Sequence, residues 1–273
     1  ASGTEATMLC LRLARSVTGK TKILKFEGAY HGQHPEGVAS MVELNERSSA
    51  KANPSGTGAP WVKDSVVVAP FNDLESTRTL IKENSADLAA VIVEPLHRCL
   101  KPVDGFLSGL RKITQDLGII LIFDEVVTGF RLALGGAQEY YGVEPDLVAY
   151  GKALGGGFPI GAFGGSEEIM QGVNESRYSK LNYTWSASTT GGNPVSCAAA
   201  IATIKILSEQ QNFDKLHDLG RKFRKQLTEI LINEEKPFQV LGDGPLAQVV
   251  FTEQPVKNSR DWSAADRNKG HLL

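Results

Sequence analysis

Short apolar runs alternate with amphipathic stretches along most of the chain. Continuous apolar strands separated by helices are typical of a parallel sheet covered on both faces, so we predict an α/β fold with a mostly parallel central sheet. The predicted strands are Ile23–Phe26, Val66–Ala69, Ala89–Glu94, Ile119–Asp124 and Leu147–Tyr150. The predicted helices are Leu74–Glu83, Phe106–Leu117, Glu167–Gly172, Pro194–Leu207 and Phe213–Leu231, and one that begins near Gly3 and ends at Gly19.

The same pattern divides the chain into two unequal parts. Residues 1–208 are predicted to form a large α/β domain with helices on both faces of its sheet. Residues 209–273 contain a linking helix and two further predicted strands, Phe238–Val240 and Gln248–Phe251. We predict that this second part is the start of a smaller α+β domain.

Two features stand outside this regular alternation. The segment Val42–Lys63 is polar and rich in Ser, Gly, Ala and Pro, which predicts a long loop. The chain begins at Ala1 and stops at Leu273, after a turn that leads toward another element. We therefore expect it to be a fragment that lacks an N-terminal part.

Three predicted strands finish on residues with useful chemistry. Glu94 and Asp124 end their strands, and Lys152 lies just beyond Tyr150. Ligands of open parallel sheets bind beyond the carboxyl ends of the strands. Each residue alone is unremarkable, but the coincidence of the three predicts a ligand site at this edge.

Lys152 lies between an apolar strand and the glycine-dense turn Gly155–Gly157. A desolvated lysine shifts its pKa readily and can act as a base or bind an aldehyde covalently. A surface lysine that starts a loop is the simpler explanation of an isolated Gly-Lys pair. The spacings of a phosphate-binding P-loop and of a dinucleotide fingerprint are both absent, which leaves a reactive lysine as the functional hypothesis.

The first helix begins with the capping-box pattern Ser2-Gly3-Thr4-Glu5. Its free backbone N–H groups and the positive end of the helix dipole form a potential phosphate site. Taken alone, Ser2 is more simply explained as a cap of the helix. The two interpretations compete for the same donors.

Three further stretches carry candidate ligand contacts. Asp124 and the adjacent Glu125 point to opposite faces of the strand and cannot share one partner. Asp124 is either a solvated strand end or helix cap, or a carboxylate that pairs with a cationic nitrogen of a bound cofactor. Tyr30 lies in a tight glycine-flanked loop and either stacks on a flat ligand or, as is more common for a loop tyrosine, packs at the surface with its hydroxyl in water. Residues 185–194 form a loop rich in hydroxyl groups and glycine that offers phosphate donors.

Composition narrows the setting and the partners. A net charge of −2 leaves no basic footprint for nucleic acid. No apolar run has the length of a membrane span, and the chain opens without a secretion signal. Three widely spaced cysteines make a disulfide scaffold or a metal site unlikely on sequence grounds. We expect a cytoplasmic protein without a metal.

In its ordered motifs the chain resembles the class III aminotransferases, a pyridoxal 5′-phosphate (PLP) family that includes glutamate-1-semialdehyde aminomutase. The matching strings are SGTEATMLCLRLAR, KFEGAYHG, AAVIVEP, LIFDEVVTGFR, PDLVAYGKALGGGFPIGAFGG and GGNP. They occur in the family's order and cover nearly the whole chain. The resemblance implies the large domain of the fold type I PLP-dependent transferases.

The resemblance implies two catalytic residues. Lys152 would form a Schiff base with the cofactor aldehyde and later shuttle the substrate proton. Asp124 would keep the pyridine nitrogen protonated, so that the ring can accept electrons. The cofactor would carry the chemistry, and the protein would orient it.

The remaining positions are implied cofactor contacts. Ser2, Gly3 and Thr4 would hold the phosphate at the helix N-terminus. Tyr30 would stack on the ring and Val126 would lie beneath it, with His31 and Glu94 nearby. Thr189 would reach the phosphate of the neighbouring subunit's cofactor, which implies a homodimer.

Departures from the family's pattern bear on the substrate. The segment after Glu94 is shorter than in the aminomutase and lacks its glycines, and Arg98 within it is either a carboxylate ligand or an ordinary surface residue. We therefore rank an aminotransferase, which exchanges an amino group between a small amino donor and a keto acid, above the intramolecular aminomutase. A homologue that binds the cofactor without turnover remains a third possibility.

Overall fold

The computed structural model describes residues 1–41, 51–180, 182–233 and 237–265. Its central sheet has six strands in the order β2-β1-β3-β4-β5-β6. All neighbouring strands run parallel except β5 and β6, which are antiparallel. The strands are β1 Lys22–Phe26, β2 Val66–Ala69, β3 Leu88–Val93, β4 Ile120–Asp124, β5 Leu147–Tyr150 and β6 Ala162–Gly165. The predicted α/β fold with a mostly parallel sheet is confirmed.

Helices connect the strands and cover the sheet. They are α1 Gly3–Thr18, α2 Pro35–Val38, α3 Val62–Ser65, α4 Leu74–Asn84, α5 Phe106–Asp116, α6 Gly136–Tyr141, α7 Glu167–Met170, α8 Pro194–Leu207, α9 Gln210–Leu231 and α10 Ser259–Ser263. Short 3₁₀ helices occupy Lys152–Gly155, Gln171–Val173 and Glu175–Arg177. Among the helices of the described residues, none combines the length and the apolar character needed to cross a membrane.

The two faces of the sheet form two apolar clusters. Successive strand residues point to opposite faces, so Leu24 and Val91 pack in one cluster with α4 and α5. Ile23 and Ile92 pack on the other face against α1. Helices therefore cover both sides, and the strand ends are held at a fixed edge of the sheet.

The C-terminal part packs against the large sheet domain. Its strands β7 Gln239–Leu241 and β8 Gln248–Val250 form a separate antiparallel pair. Val250 belongs to the same buried cluster as β1 and β3. Arg260 of α10 donates two hydrogen bonds, of 2.7 and 2.6 Å, to the carboxylate of Glu27 after β1. The boundary at residue 208 stays a prediction.

Several element boundaries differ from the prediction. The strand at residues 89–94 instead ends at Val93, so Glu94 follows it, and the helix predicted from Phe213 begins at Gln210. β6, α6 and α10 carry no clear periodicity and were not predicted. Residues 42–50 of the predicted loop lie outside the described residues; Lys51 pairs in a single bridge with Val67.

Candidate active site

A cavity of about 530 Å³ opens at the carboxyl ends of the central strands. It lies at the switch point of the sheet, where the connections from neighbouring strands leave in opposite directions: β1 is flanked by β2 on one side and by β3 on the other. Eight of the ten predicted site residues line it: Gly3, Thr4, Tyr30, His31, Glu94, Asp124, Val126 and Lys152. Ser2 and Thr189 do not line it.

The N-terminus of α1 points into this region. Ser2 caps the helix, since its Oγ accepts the Glu5 N–H at 3.3 Å. The N–H groups of Gly3 and Thr4 come earlier in the helix, where no intrahelical acceptor exists. A Cβ at Gly3 would lie 2.7 Å from Cγ1 of Val126, so only glycine allows this close packing. The arrangement fits a small anion at the helix N-terminus.

Asp124 is held in one orientation by two contacts. Its Oδ2 lies 2.7 Å from Nδ1 of His31, and its Oδ1 accepts the Val126 N–H at 3.1 Å. A carboxylate can only accept, so we assign the shared proton to Nδ1 of His31. Burial lowers the pKa of His31, although the Asp124 contact opposes this effect. A neutral His31 thus donates to the Asp124 carboxylate.

The unshared nitrogen of His31 faces away from Asp124. Its Nε2 is buried and has no hydrogen-bond partner among the described residues. Ligand atoms of His31, Glu94 and Asp124 lie within 4.8 Å of one another. This spacing would suit a cation, yet the predicted absence of a metal stays a prediction.

Glu125 has a different task from its neighbour. Its carboxylate accepts the backbone N–H groups of Ala137 and Gln138 at the start of α6, and the Thr128 hydroxyl at 3.0 Å. Burial raises the pKa of Glu125, while these donors lower it. As predicted from the strand geometry, the two adjacent carboxylates serve separate partners.

Glu94 and His97 form a buried pair beside the cavity. Nδ1 of His97 lies 3.0 Å from Oε2 of Glu94, a close contact without the angle of a hydrogen bond. Burial by itself would raise the pKa of Glu94. The contact with His97 and the positive charge of Arg98 instead lower it to about 2. Glu94 therefore adds a fixed negative charge to the cavity wall.

Lys152 lies at the start of the 3₁₀ turn that follows β5. Its φ of 41° is in the left-handed region, which is unusual for a residue with a side chain and is often found at functional sites. Gly151 precedes it, and a Cβ there would lie 3.5 Å from the Cα of Gly3. The glycines therefore bring the lysine and the N-terminus of α1 close together.

Tyr30 lines the cavity with 37% of its surface exposed. Thr189 lies in an exposed turn before α8. Its predicted role depends on a second subunit, so the placement in a single chain does not test it.

A buried lysine that sequence reasoning missed holds the loop carrying Tyr30. Nζ of Lys25 on β1 donates to the backbone carbonyls of Ala29, Gly37 and Ala39 at 3.0, 2.9 and 2.7 Å. Burial lowers the pKa of Lys25 to about 7. The sequence does contain one indication of this role, because Lys25 is the single charged residue of the predicted strand Ile23–Phe26.

Further lining residues come from two segments that the motifs did not single out. Arg98 and Cys99 lie in the turn after Glu94, and only Arg98 was considered from sequence. Leu246, Gln248 and Trp262 belong to the C-terminal part and line the cavity from there. No local pattern in the sequence marks these three residues as site residues.

Comparison with known proteins gives consistent matches. Residues 1–273 match the family described as Aminotransferase class-III. The glutamate-1-semialdehyde 2,1-aminomutase of Methanothermobacter thermautotrophicus is 43% identical over 270 residues, which are 97% of this chain and 61% of that protein. This chain thus spans less than two thirds of the length of that relative.

Two solved structures extend the comparison to the fold. An omega-transaminase from Sphaerobacter thermophilus is 39% identical with a TM-score of 0.82, over 95% of this chain and 60% of that one. A structure described as a transaminase with PLP bound is 30% identical with a TM-score of 0.82, over 93% of this chain and 59% of that one. The family match covers the full chain, and the fold agrees with it. The chain belongs to the class III aminotransferase family.

Proposed function

We propose that this protein is a PLP-dependent enzyme that transfers amino groups among small molecules. The observation that carries the proposal is that Lys152 and Asp124 line the same cavity, with the N-terminus of α1 beside them. Family membership supports the proposal, as does the 30% identical transaminase described with PLP bound.

The cavity residues fit the three chemical parts of PLP. The free N–H groups at Gly3 and Thr4 suit the phosphate. The oriented, buried carboxylate of Asp124 suits the protonated ring nitrogen. The amine of Lys152 suits the aldehyde. When bound, PLP supplies an aldehyde that joins to amines and a ring that takes up the electron pair left when a substrate proton is removed.

Lys152 has two tasks in this proposal. Its Nζ would hold the cofactor covalently in the resting protein. As a free amine, Nζ would accept the proton from the substrate carbon that is bonded to the amino group and would later give it back. Its position at the entrance of a glycine-rich turn leaves space for this movement.

Asp124 and His31 act together at the opposite end of the ring. The Asp124 carboxylate would keep the ring nitrogen protonated, and Nδ1–H of His31 holds that carboxylate in position. Both side chains are buried, with 5% and 1% of their surface exposed, so water does not weaken the contact. Tyr30 and Val126 would cover opposite faces of the ring.

Two reactions are consistent with these residues. On sequence grounds we rank aminotransfer between a donor and a keto acid first. The curated relative at 43% identity, an aminomutase, favours the intramolecular reaction, whereas the 39% identical structure is an omega-transaminase. The names of the curated relatives thus favour the aminomutase over the aminotransferase that we rank first on sequence grounds, and we retain both reactions as candidates.

One experiment separates them. The cofactor-loaded protein is mixed with glutamate-1-semialdehyde or with single amino donors, each with and without a keto acid. An aminomutase turns over continuously without a keto acid, whereas an aminotransferase stops after one change of the cofactor spectrum. A spectrum that does not respond to any of these amines would contradict the proposal and favour a homologue without turnover.

A further inference from the structure

The segment after Glu94 makes a tight turn at the cavity wall. His97 and Leu100 exchange both backbone hydrogen bonds, at 3.0 and 2.7 Å. The two residues between them, Arg98 and Cys99, have φ of 47° and 68°. A turn with both central residues left-handed normally contains Asn, Asp or Gly.

This backbone conformation directs side chains into the cavity. Arg98 and Cys99 both line it, together with Lys152 and Asp124. Non-glycine residues in strained conformations persist where the surrounding structure fixes them, and they cluster at ligand sites. Here the buried ring of His97, which stacks on Phe71 at 4.9 Å, anchors one end of the turn.

Within the part of the chain that the structure describes, the Arg98 guanidinium has no carboxylate of its own. The described residues provide no hydrogen bond or ion pair to it. The two nearby acids are engaged elsewhere, Glu94 with His97 and Asp124 with His31. Arg98 is exposed, lines the cavity and adds a positive charge to it.

A planar guanidinium without a partner suits a carboxylate, which it can bind through two parallel hydrogen bonds. The cofactor phosphate is the other anion to consider, but the N-terminus of α1 already offers donors for it. The rest of the substrate side of the cavity includes Leu96 and Trp262, which would contact apolar carbon chain.

We propose that Arg98 binds the carboxylate of the substrate, so that the site selects amino acids over amines that lack a carboxylate. This inference rests on the proposed function, because it assigns the substrate class of the same site. It holds for an aminotransferase and for an aminomutase acting on an amino acid aldehyde.

The test compares amino acids with their own carboxamides in the cofactor-loaded protein. Single-turnover change of the cofactor spectrum gives the apparent Kd for each donor. Arg98→Gln should raise the apparent Kd of the amino acids by about 10- to 100-fold, the usual effect of losing a charge-assisted hydrogen bond. The apparent Kd of the carboxamides should change by less than about twofold. Arg78→Gln is the matched control, since Arg78 is on the outer helix α4 and contacts Glu75.

A second measurement does not require turnover. Calorimetric titration with unreactive carboxylates, from acetate to hexanoate, should show binding that Arg98→Gln removes and Arg98→Lys partly retains. The affinity for PLP should be the same in all variants. A lower PLP affinity in Arg98→Gln would assign the arginine to the phosphate and overturn the inference.

The outcomes also separate this inference from the proposed function. If no donor of either kind changes the spectrum, the proposed function fails. If amino acids and carboxamides react equally well, or if Arg98→Gln weakens both to the same extent, the enzyme activity stands and the role of Arg98 is refuted.

Discussion

Asp124 and Glu125 are adjacent in sequence and have unrelated surroundings. Asp124 faces the cavity and His31, whereas Glu125 faces the other side of the sheet and the start of α6. The period of two in a β-strand creates this division. We therefore expect a substitution of Asp124 to slow the reaction and a substitution of Glu125 to lower the stability of the fold.

Asp124→Asn is expected to bind PLP and to remove the substrate proton much more slowly. An amide cannot keep the ring nitrogen protonated, and the loss of such an oriented charge typically costs about 100-fold or more in rate. The measurement is the single-turnover rate of the cofactor spectrum with an amino donor. An unchanged rate would show that Asp124 has no part in the step.

Glu125→Gln is the paired substitution. Its amide retains one acceptor for the N–H groups of α6, so unfolding should become easier by about 1 to 2 kcal/mol. The single-turnover rate should stay near that of the unmodified protein. Denaturant titration and the rate measurement on the same sample check both expectations.

Glu36 predicts a specific dependence of stability on pH. Burial would raise the pKa of its carboxyl. Contacts with His34 and with Arg15, whose Nη1 lies 2.7 Å from Oε1, instead lower this pKa from 4.5 to about 2. Between these values the unfolded chain binds the extra proton, so the free energy of unfolding falls as the pH drops. One proton corresponds to a slope of about 1.4 kcal/mol per pH unit.

Denaturant titrations from pH 5 to about pH 3 measure this slope. Glu36→Gln should give a flatter dependence over the same interval, because it has no proton to take up. Equal slopes for the two proteins would mean that the ion pair with Arg15 does not stabilise the folded state.

At the scale of elements, the N-terminus of α1 depends on close packing. Gly3→Ala would place a Cβ 2.7 and 2.9 Å from the two methyl groups of Val126, which is stiff because it is β-branched. Overpacking of this kind costs about 1 to 3 kcal/mol, more than the gain of up to about 1 kcal/mol from alanine's helix propensity. We expect lower stability and weaker PLP binding.

Gly164→Ala provides the control for this substitution. Gly164 on β6 has open space around the position of a Cβ and no left-handed φ. Stability and PLP affinity should both be retained there. If Gly3→Ala also binds PLP normally, the N-terminus of α1 is not the phosphate site.

The predictable elements were those with a strong apolar pattern. β1 to β5 are buried runs, and their ends placed Glu94, Asp124 and Lys152 at one edge before any contact was known. β6 was missed because Ala162–Gly165 contains two glycines, which have low strand propensity. It is a strand because its backbone pairs with β5, which is a tertiary effect.

Site residues could be predicted from the sequence only where they lie together in one short motif. The contact between His31 and Asp124 joins residues far apart in the chain, and spacing carries no information on it. Trp262 reaches the cavity because α10 is tied to Glu27 through Arg260. Such long-range placement depends on packing that a pattern of apolar residues does not encode.

At the scale of the whole molecule, the predicted homodimer has a direct test. Thr189 is exposed, and α8 carries exposed apolar residues, with Val195 59%, Ile201 54% and Ile206 61% exposed. A second copy that covers this helix would bring Thr189 toward another subunit's cofactor. Sedimentation should show a dimer.

Mixing of two inactive variants tests whether Thr189 of one subunit contributes to the active site of the other. Lys152→Ala and Thr189→Asp should each be inactive as homodimers. Co-expression should restore about a quarter of the activity, because half of the dimers are mixed and each has one site with an intact Lys152 and an intact Thr189 from its neighbour. If Thr189 serves its own subunit, mixing restores nothing.

The most direct measurement of the central claim is chemical trapping of the cofactor. The PLP-loaded protein is reduced with borohydride and digested, and the modified peptide is identified by mass spectrometry. We predict that the cofactor is joined to Lys152, that Lys152→Ala loses the adduct, and that Lys112→Ala, on the outer face of α5 beside Asp116, keeps it. An adduct on another lysine, or one that survives in Lys152→Ala, would contradict the account.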